Sequence, residues 1–138
     1  MSGPTHIGLT PVTQRYEGWP RGECVRAAYA ALLDLPIAQV PRFDPASLAI
    51  GEEQRDKERK WLATLGLRLI EVSMSKDLAP IPGEVLELVP PVLTLLSGIS
   101  PRGFGHRCVG TGGEVLWDPH PSRAGLTQVY AIGFLVPR

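Results

Sequence analysis

The sequence predicts an α+β domain in which N-terminal helices pack on a C-terminal antiparallel β-sheet. Apolar residues recur at helical spacing before residue 66, whereas alternating or continuous apolar runs typical of strands follow it. Because the helices and the strands form separate blocks, this class is favoured over a parallel, doubly wound sheet. A chain of 138 residues fits a single domain, residues 1–138, with a core of its own.

The first helix is predicted over residues 24–33, in the stretch "GECVRAAYAALLDL". Its apolar face is formed by Val25, Ala28, Tyr29 and Leu32. The preceding pairs "WP" and "RG" interrupt regular structure, so the helix begins at Cys24. After the helix, Pro36 and Pro41 leave room for a single helical turn between them.

A second helix is predicted in "EEQRDKERKWLATLGL", which is charged first and apolar later. Trp61, Leu62 and Leu65 lie on one side of this helix, and Gly66 provides its C-cap. The charged half, "EEQRDKERK", is interpreted as the solvated face. Trp61 and Trp117 are interpreted as packing residues.

Five segments after residue 66 have the character of strands. The segment "LRLIEVS" alternates between two faces, and "PVLTLLSGIS" is a continuous apolar run of the kind found in a central strand covered on both faces. The segments "GHRCVG" and "GEVLWDP" are short strands joined by "TGG", which indicates a hairpin. The last segment, "VYAIGFLVP", closes the sheet.

Charge and composition exclude several functional classes. The 14 basic and 14 acidic residues give a formal net charge of zero, so neither a nucleic acid nor a membrane is expected as a partner. No apolar run approaches the roughly twenty residues of a membrane span, and the start "MSGPTHIGLT" lacks a secretory pattern. Two cysteines do not make a disulfide scaffold. These features predict a cytoplasmic protein with reduced thiols.

Three residues form a candidate catalytic constellation. Cys24 opens the first helix, where free backbone N–H groups and the helix dipole stabilise a thiolate. His106 opens one arm of the predicted hairpin and Asp118 closes the other, so both lie at the same end of neighbouring strands. A carboxylate can orient the imidazole there, and the imidazole can take the proton of the thiol. This is the nucleophile, base and orienter arrangement of thiol hydrolases.

The segments that carry this constellation, "GECVRAAYAALL", "GHRCVG" and "WDPHPSRAG", resemble those of the papain-like cysteine peptidases. The resemblance is closest to the bacteriocin-processing branch, and the chain is also similar to small phage and prophage proteins. It implies a papain-like fold, a peptide or protein substrate and no cofactor. It also implies a glutamine that completes the oxyanion hole. Gln14 takes this place, although it lies ten residues before Cys24, further than is usual in the family.

Several residues keep alternative interpretations. His120 shares the face of Asp118 and can exchange roles with His106, although the family pattern favours His106. Cys108 is interpreted as core filler. A metal site of Cys24, His106, Cys108 and Asp118 has suitable ligand types, but His-x-Cys lacks the usual zinc spacing, so no metal is predicted.

Residues around the cleft have less specific interpretations. Trp19 precedes Pro20 in the loop before Cys24 and is the candidate for lining a substrate cleft. Arg26 and Arg102 flank the cleft, with a surface role as the default, and His6 is interpreted as solvated.

The sequence therefore predicts a thiol hydrolase that cleaves a peptide, isopeptide or related amide bond. The competing class is a binding module that keeps the same fold without catalysis and recognises a peptide or host protein. Acyl or amide transfer with the same residues is a second enzymatic alternative.

Overall fold

The computed structural model of the chain describes residues 9–15, 23–43, 52–75 and 77–138. Its elements are, in chain order, α1 (Cys24–Leu33), a 3-10 turn (Ile37–Gln39), α2 (Glu52–Thr64), β1 (Leu67–Val72), α3 (Gly83–Leu86), β2 (Leu93–Ile99), β3 (Gly105–Thr111), β4 (Glu114–Trp117) and β5 (Gln128–Pro137). The predicted α+β class is confirmed. The short helix α3, which interrupts the block of strands, is not indicated by the sequence pattern. Within the described segments, no helix is long and apolar enough to span a bilayer.

The five strands form one antiparallel sheet in the order β1-β5-β2-β3-β4. The predicted central strand is confirmed, since β2 pairs with β5 on one side and with β3 on the other. The last strand completes the sheet by inserting between β1 and β2 rather than by adding at an edge. The predicted hairpin is also confirmed, because β3 and β4 pair directly across the turn at Gly112 and Gly113.

Helix α1 is buried on all sides between residues 27 and 32, whereas the sequence predicts a single apolar face. The difference arises from its alanines, Ala27, Ala28, Ala30 and Ala31, which are all fully buried. Small side chains let a helix approach a sheet closely, and α1 lies against β3. The helix ends at Asp34, whose left-handed backbone (φ 56°) turns its N–H back to the carbonyl of Ala30.

The larger apolar core lies between the sheet and helices α1 and α2. Tyr29 packs edge-on against Phe43 and Trp61, which are tilted relative to each other, at ring distances of 5.5 to 5.7 Å. Trp117 packs on the same core and donates its indole N–H to the carbonyl of Val12 at 3.0 Å. The packing roles predicted for Trp61 and Trp117 are therefore confirmed. A smaller core, around Leu96 and Ile132, covers the other face beneath α3.

A buried ionic network joins α1, α2 and the sheet. The predicted solvated face of α2 is wrong at Glu58, which is fully buried because Arg107 of β3 compensates its charge at 2.5 Å. The same carboxylate oxygen accepts the Tyr29 hydroxyl at 2.5 Å, and Gln54 donates to the other oxygen. Arg107 also donates to Ser97. Burial opposes the charge of Glu58, but Arg107 outweighs it and holds the pKa of Glu58 below its usual range.

Replacing Arg107 alone will destabilise the protein strongly. In Arg107→Met, Glu58 stays buried without its cation, which costs about 3–5 kcal/mol of unfolding free energy. Urea denaturation measures this loss. The double variant Arg107→Met/Glu58→Leu recovers more than half of it, and Arg68→Met, on an exposed arginine of β1, is the control. A single variant as stable as the wild type contradicts a compensating role for Arg107.

Candidate active site

His106 and Asp118 meet at one end of the β3–β4 hairpin. His106 Nε2 lies 2.6 Å from Asp118 Oδ1, and both side chains are buried. Two backbone N–H groups also hydrogen-bond to the carboxylate. That of His120 donates to Oδ1 at 2.9 Å, and that of Gly125 donates to Oδ2 at 2.7 Å. Burial disfavours the charge, but these hydrogen bonds, led by that of His106, hold the pKa of Asp118 below its usual range. Asp118 is therefore an ionised orienter of the imidazole.

Cys24 is the third member of this array. Its thiol hydrogen-bonds to the His106 ring and accepts the backbone N–H of Arg107. Since His106 Nε2 faces Asp118, Nδ1 is the nitrogen left for the sulfur. Burial raises the pKa of Cys24, but the hydrogen bond and charge of His106 outweigh burial and lower it. Burial likewise opposes the charge of His106, whereas Cys24 and Asp118 raise its pKa. The array therefore favours a thiolate–imidazolium pair.

The end of β4 explains how Cys24 reaches this position. Strand β4 pairs only with Val109, Gly110 and Thr111 of β3, and the chain leaves the sheet after Trp117. Arg107 therefore lies beyond the paired part of β4, and its backbone N–H interacts with the Cys24 sulfur at the first turn of α1.

A buried carboxylate ties the N-terminal segment to the start of α1. Glu23, which directly precedes Cys24, accepts the backbone N–H of Arg15 at 2.9 Å and its guanidinium at 2.8 Å. Arg26 donates to the same carboxylate at 3.0 Å, and Arg42 lies 3.8 Å away. Burial opposes the charge of Glu23, but Arg15 and Arg26 lower its pKa to about 2.

This clamp brings Gln14 to the site. Gln14 is buried and donates its backbone N–H to the carbonyl of Pro119 at 3.0 Å, directly after Asp118. The structure thus places Gln14 between the Glu23 clamp and the Asp118 segment. The ten-residue spacing to Cys24 is spanned by residues 16–22, which lie outside the described residues.

The remaining candidate residues have other partners. The His120 ring contacts Ser122 through Nδ1 at 2.8 Å, and the backbone N–H of His120 donates to Asp118. Arg26 binds the Val40 carbonyl and Glu23, and Arg102 donates to Ser122. Trp19 and His6 lie outside the described residues.

Cys108 is fully buried, in agreement with its interpretation as core filler, and it lies beside Asp118. Burial and the charge of Asp118 raise the pKa of Cys108, and its thiol hydrogen-bonds to that carboxylate. The two cysteines therefore differ in the sign of their pKa shift.

Sequence reasoning missed three residues that support the site: Glu23, Arg107 and Arg123. Arg123 stacks over the Trp117 ring at 4.1 Å and donates to the carbonyls of Asp118 and His120, which secures the turn after β4. The position of Glu23 at the start of a helix was an available signal, since acidic residues are favoured there. A lone arginine in "HRC" or "PSRAG" carries no such signal, because its partners come from distant segments.

A surface cleft at the opposite edge of the sheet contains none of these residues. It is lined by Arg59, Leu67, Arg68, Leu69 and Arg138 along β1. Strand β1 is separated from β3 by β5 and β2. The chemistry of the Cys24 array is therefore independent of this cleft.

Comparison of the chain with protein-family models, with curated proteins and with solved structures gave no match.

Cys24 will be alkylated far faster than Cys108. The pKa of Cys24 is lowered and that of Cys108 is raised, so at pH 6 the thiolate fraction is larger at Cys24, and Cys108 is fully buried as well. Iodoacetamide labelling followed by peptide mapping measures both rates. His106→Ala slows Cys24 at least about tenfold at pH 6, because its cation is lost. His120→Ala is the matched control. Equal rates at the two thiols in folded protein would remove the case for an activated nucleophile.

The Glu23 clamp will make stability depend on acid pH. Because its folded pKa is about 2 against 4.5 for the free group, its contribution is complete above pH 4.5 and is lost as pH falls towards 2. At pH 7 the wild type exceeds Glu23→Gln by roughly 3 kcal/mol of unfolding free energy. Urea denaturation at pH 7, 4 and 2.5 measures the difference, with the exposed Glu84→Gln as control. A difference that does not change with pH contradicts the clamp.

Proposed function

We propose that the chain is a papain-like thiol hydrolase that cleaves a peptide, isopeptide or related amide bond. The observation that carries the proposal is the array of Cys24, His106 and Asp118, in which the His106 imidazole hydrogen-bonds to both the thiol and the carboxylate. A nucleophile, a proton carrier and an orienter are the three groups that acyl chemistry on a thiol requires.

The reaction follows from this geometry in two steps. The Cys24 thiolate attacks the carbonyl carbon, and the His106 imidazolium gives its proton to the leaving amine, which leaves a thioester on Cys24. His106, now neutral, removes a proton from water as the water attacks the thioester. The acid is released, and the proton on His106 restores the ion pair with the Cys24 thiolate. Asp118 stabilises the imidazolium form throughout.

The oxyanion of each tetrahedral intermediate needs donors aimed at it. In the proposal, the backbone N–H of Cys24 at the first turn of α1 is one donor and the Gln14 side-chain amide is the other. The burial of Gln14 beside the Asp118 segment supports this role, since preorganised donors act most strongly away from water. The Glu23 clamp then serves catalysis by holding the Gln14 segment against α1.

The substrate class remains part of the proposal. A peptide or protein is proposed as the substrate because the proposed reaction cleaves an amide bond. No cofactor takes part in any step of this reaction. The resemblance to phage and prophage proteins suggests a host or virion protein in the cytoplasm as the target. The binding-module alternative has no use for a thiol whose pKa is lowered, so the environment of Cys24 favours the enzyme.

Turnover of an activated ester tests the proposal without knowledge of the natural substrate. With p-nitrophenyl acetate, the wild type releases a burst of nitrophenolate, and mass spectrometry finds one acetyl group on Cys24. Cys24→Ala and His106→Ala each lower the rate at least about a hundredfold, and the double variant is little worse, because the groups act as a unit. Asp118→Asn is milder, since the proton acceptor remains.

Thermal unfolding of each variant shows that the loss is chemical and not structural. A Cys24→Ala protein with full activity would refute the hydrolase and leave the binding module in its place.

A further inference from the structure

Three metal-ligating side chains converge at the candidate site, and Cys108, one of them, takes no part in the proposed reaction. One ligand atom each from His106, Cys108 and Asp118 lies within 4.8 Å of the other two, and all three residues are buried. His106 and Cys108 are two residues apart on β3, so their side chains share one face. Asp118 follows β4 directly. A paired hairpin therefore fixes the spacing of the cluster.

The chemistry and the dimensions of this cluster fit Zn²⁺. Zinc binds imidazole nitrogen, thiolate sulfur and carboxylate oxygen at about 2.0–2.3 Å, so tetrahedral ligands lie about 3.3–3.8 Å apart. His106 Nε2 and Asp118 Oδ1 are 2.6 Å apart. They need to separate by about 0.7 Å when the ion replaces the proton between them. Three protein ligands with a fourth position for water form a complete zinc site.

The ligands are also supported from outside, as zinc ligands usually are. The backbone N–H of Gly125 holds Asp118 Oδ2 at 2.7 Å, and that of His120 holds Oδ1 at 2.9 Å. Cys24 contacts the His106 ring and sets its orientation. The cluster thus has the donor set, the rigidity and the outer contacts of a metal site.

We propose that His106, Cys108 and Asp118 form a Zn²⁺ site that reversibly blocks the thiol chemistry. Zinc replaces the proton on His106 Nε2, which is released to solvent, so the remaining ring proton lies on Nδ1 and the ring can no longer carry protons for the thiol chemistry. The Cys108 thiol releases its proton to solvent as its sulfur binds the metal. No redox change and no covalent bond to carbon are involved. The blocking effect rests on the proposed function, whereas metal binding does not.

Metal titration tests the site directly. Metal-free wild-type protein is titrated with Co²⁺, which gives a thiolate-to-metal charge-transfer absorption, and then with Zn²⁺ in competition with a chromophoric chelator. The expected result is one ion per chain. Cys108→Ser keeps a donor to Asp118 but supplies no thiolate, so it loses the absorption and binds Zn²⁺ more than about tenfold more weakly. Cys24→Ala, the matched cysteine control, keeps the absorption, because it removes no thiolate ligand.

The effect on chemistry is measured by iodoacetamide labelling of Cys24 and by ester turnover, each relative to the metal-free rate of the same variant. One equivalent of Zn²⁺ stops ester turnover in the wild type and leaves Cys108→Ser unaffected. Absence of the cobalt absorption, its loss in Cys24→Ala, or unchanged zinc affinity in Cys108→Ser would overturn the site. A wild type that binds Zn²⁺ but lacks esterase activity would instead refute the proposed function and leave the metal site intact.

Discussion

The close approach of α1 to β3 is the constraint on which the rest of the site depends. A helix lies this near a sheet only when its inner residues are small, and four alanines of α1 are fully buried. That contact places the first turn of α1 where β4 has ended, so the Cys24 sulfur takes the N–H of Arg107 and meets His106. Larger side chains at the alanines would move the helix away and separate the nucleophile from its base.

Among the described residues, the buried charges of Glu23, Glu58 and Arg107 near this contact are all paired, and their partners come from different parts of the chain. Glu58 of α2 compensates the charge of Arg107 of β3, and Glu23 forms ion pairs with arginines from three segments of the chain. Isolated buried charges are costly, whereas paired and hydrogen-bonded ones persist. The Cys24–His106 pair follows the same rule, since a thiolate is stable there only while the imidazolium and the Arg107 N–H face it. The packing of the core and the reactivity of Cys24 therefore both depend on the pairing of opposite charges in buried positions.

The sequence predicted those features that are encoded locally. The bounds of α1, the central position of β2 and the hairpin follow from periodicity, a continuous apolar run and a glycine turn. The geometry of His106 and Asp118 follows as well, because a hairpin brings its two ends together. Glu58 was misassigned to solvent because its partner lies 49 residues away. A pairing between residues so far apart in the chain leaves no local sequence pattern. The contacts of Arg107 and Arg123 could not be predicted for the same reason.

The two cysteines show how far residue type alone falls short of chemistry. Both are free and both lie beside His106, but Cys24 accepts an N–H and faces a cation, whereas Cys108 donates to a carboxylate. A neighbouring positive charge stabilises a thiolate, and a neighbouring negative charge opposes it. For Cys24, the sequence alone indicated a stabilised thiolate, because the residue lies at the start of a helix. The opposite state of Cys108 follows only from the fold, because Asp118 becomes its neighbour when β4 returns along β3.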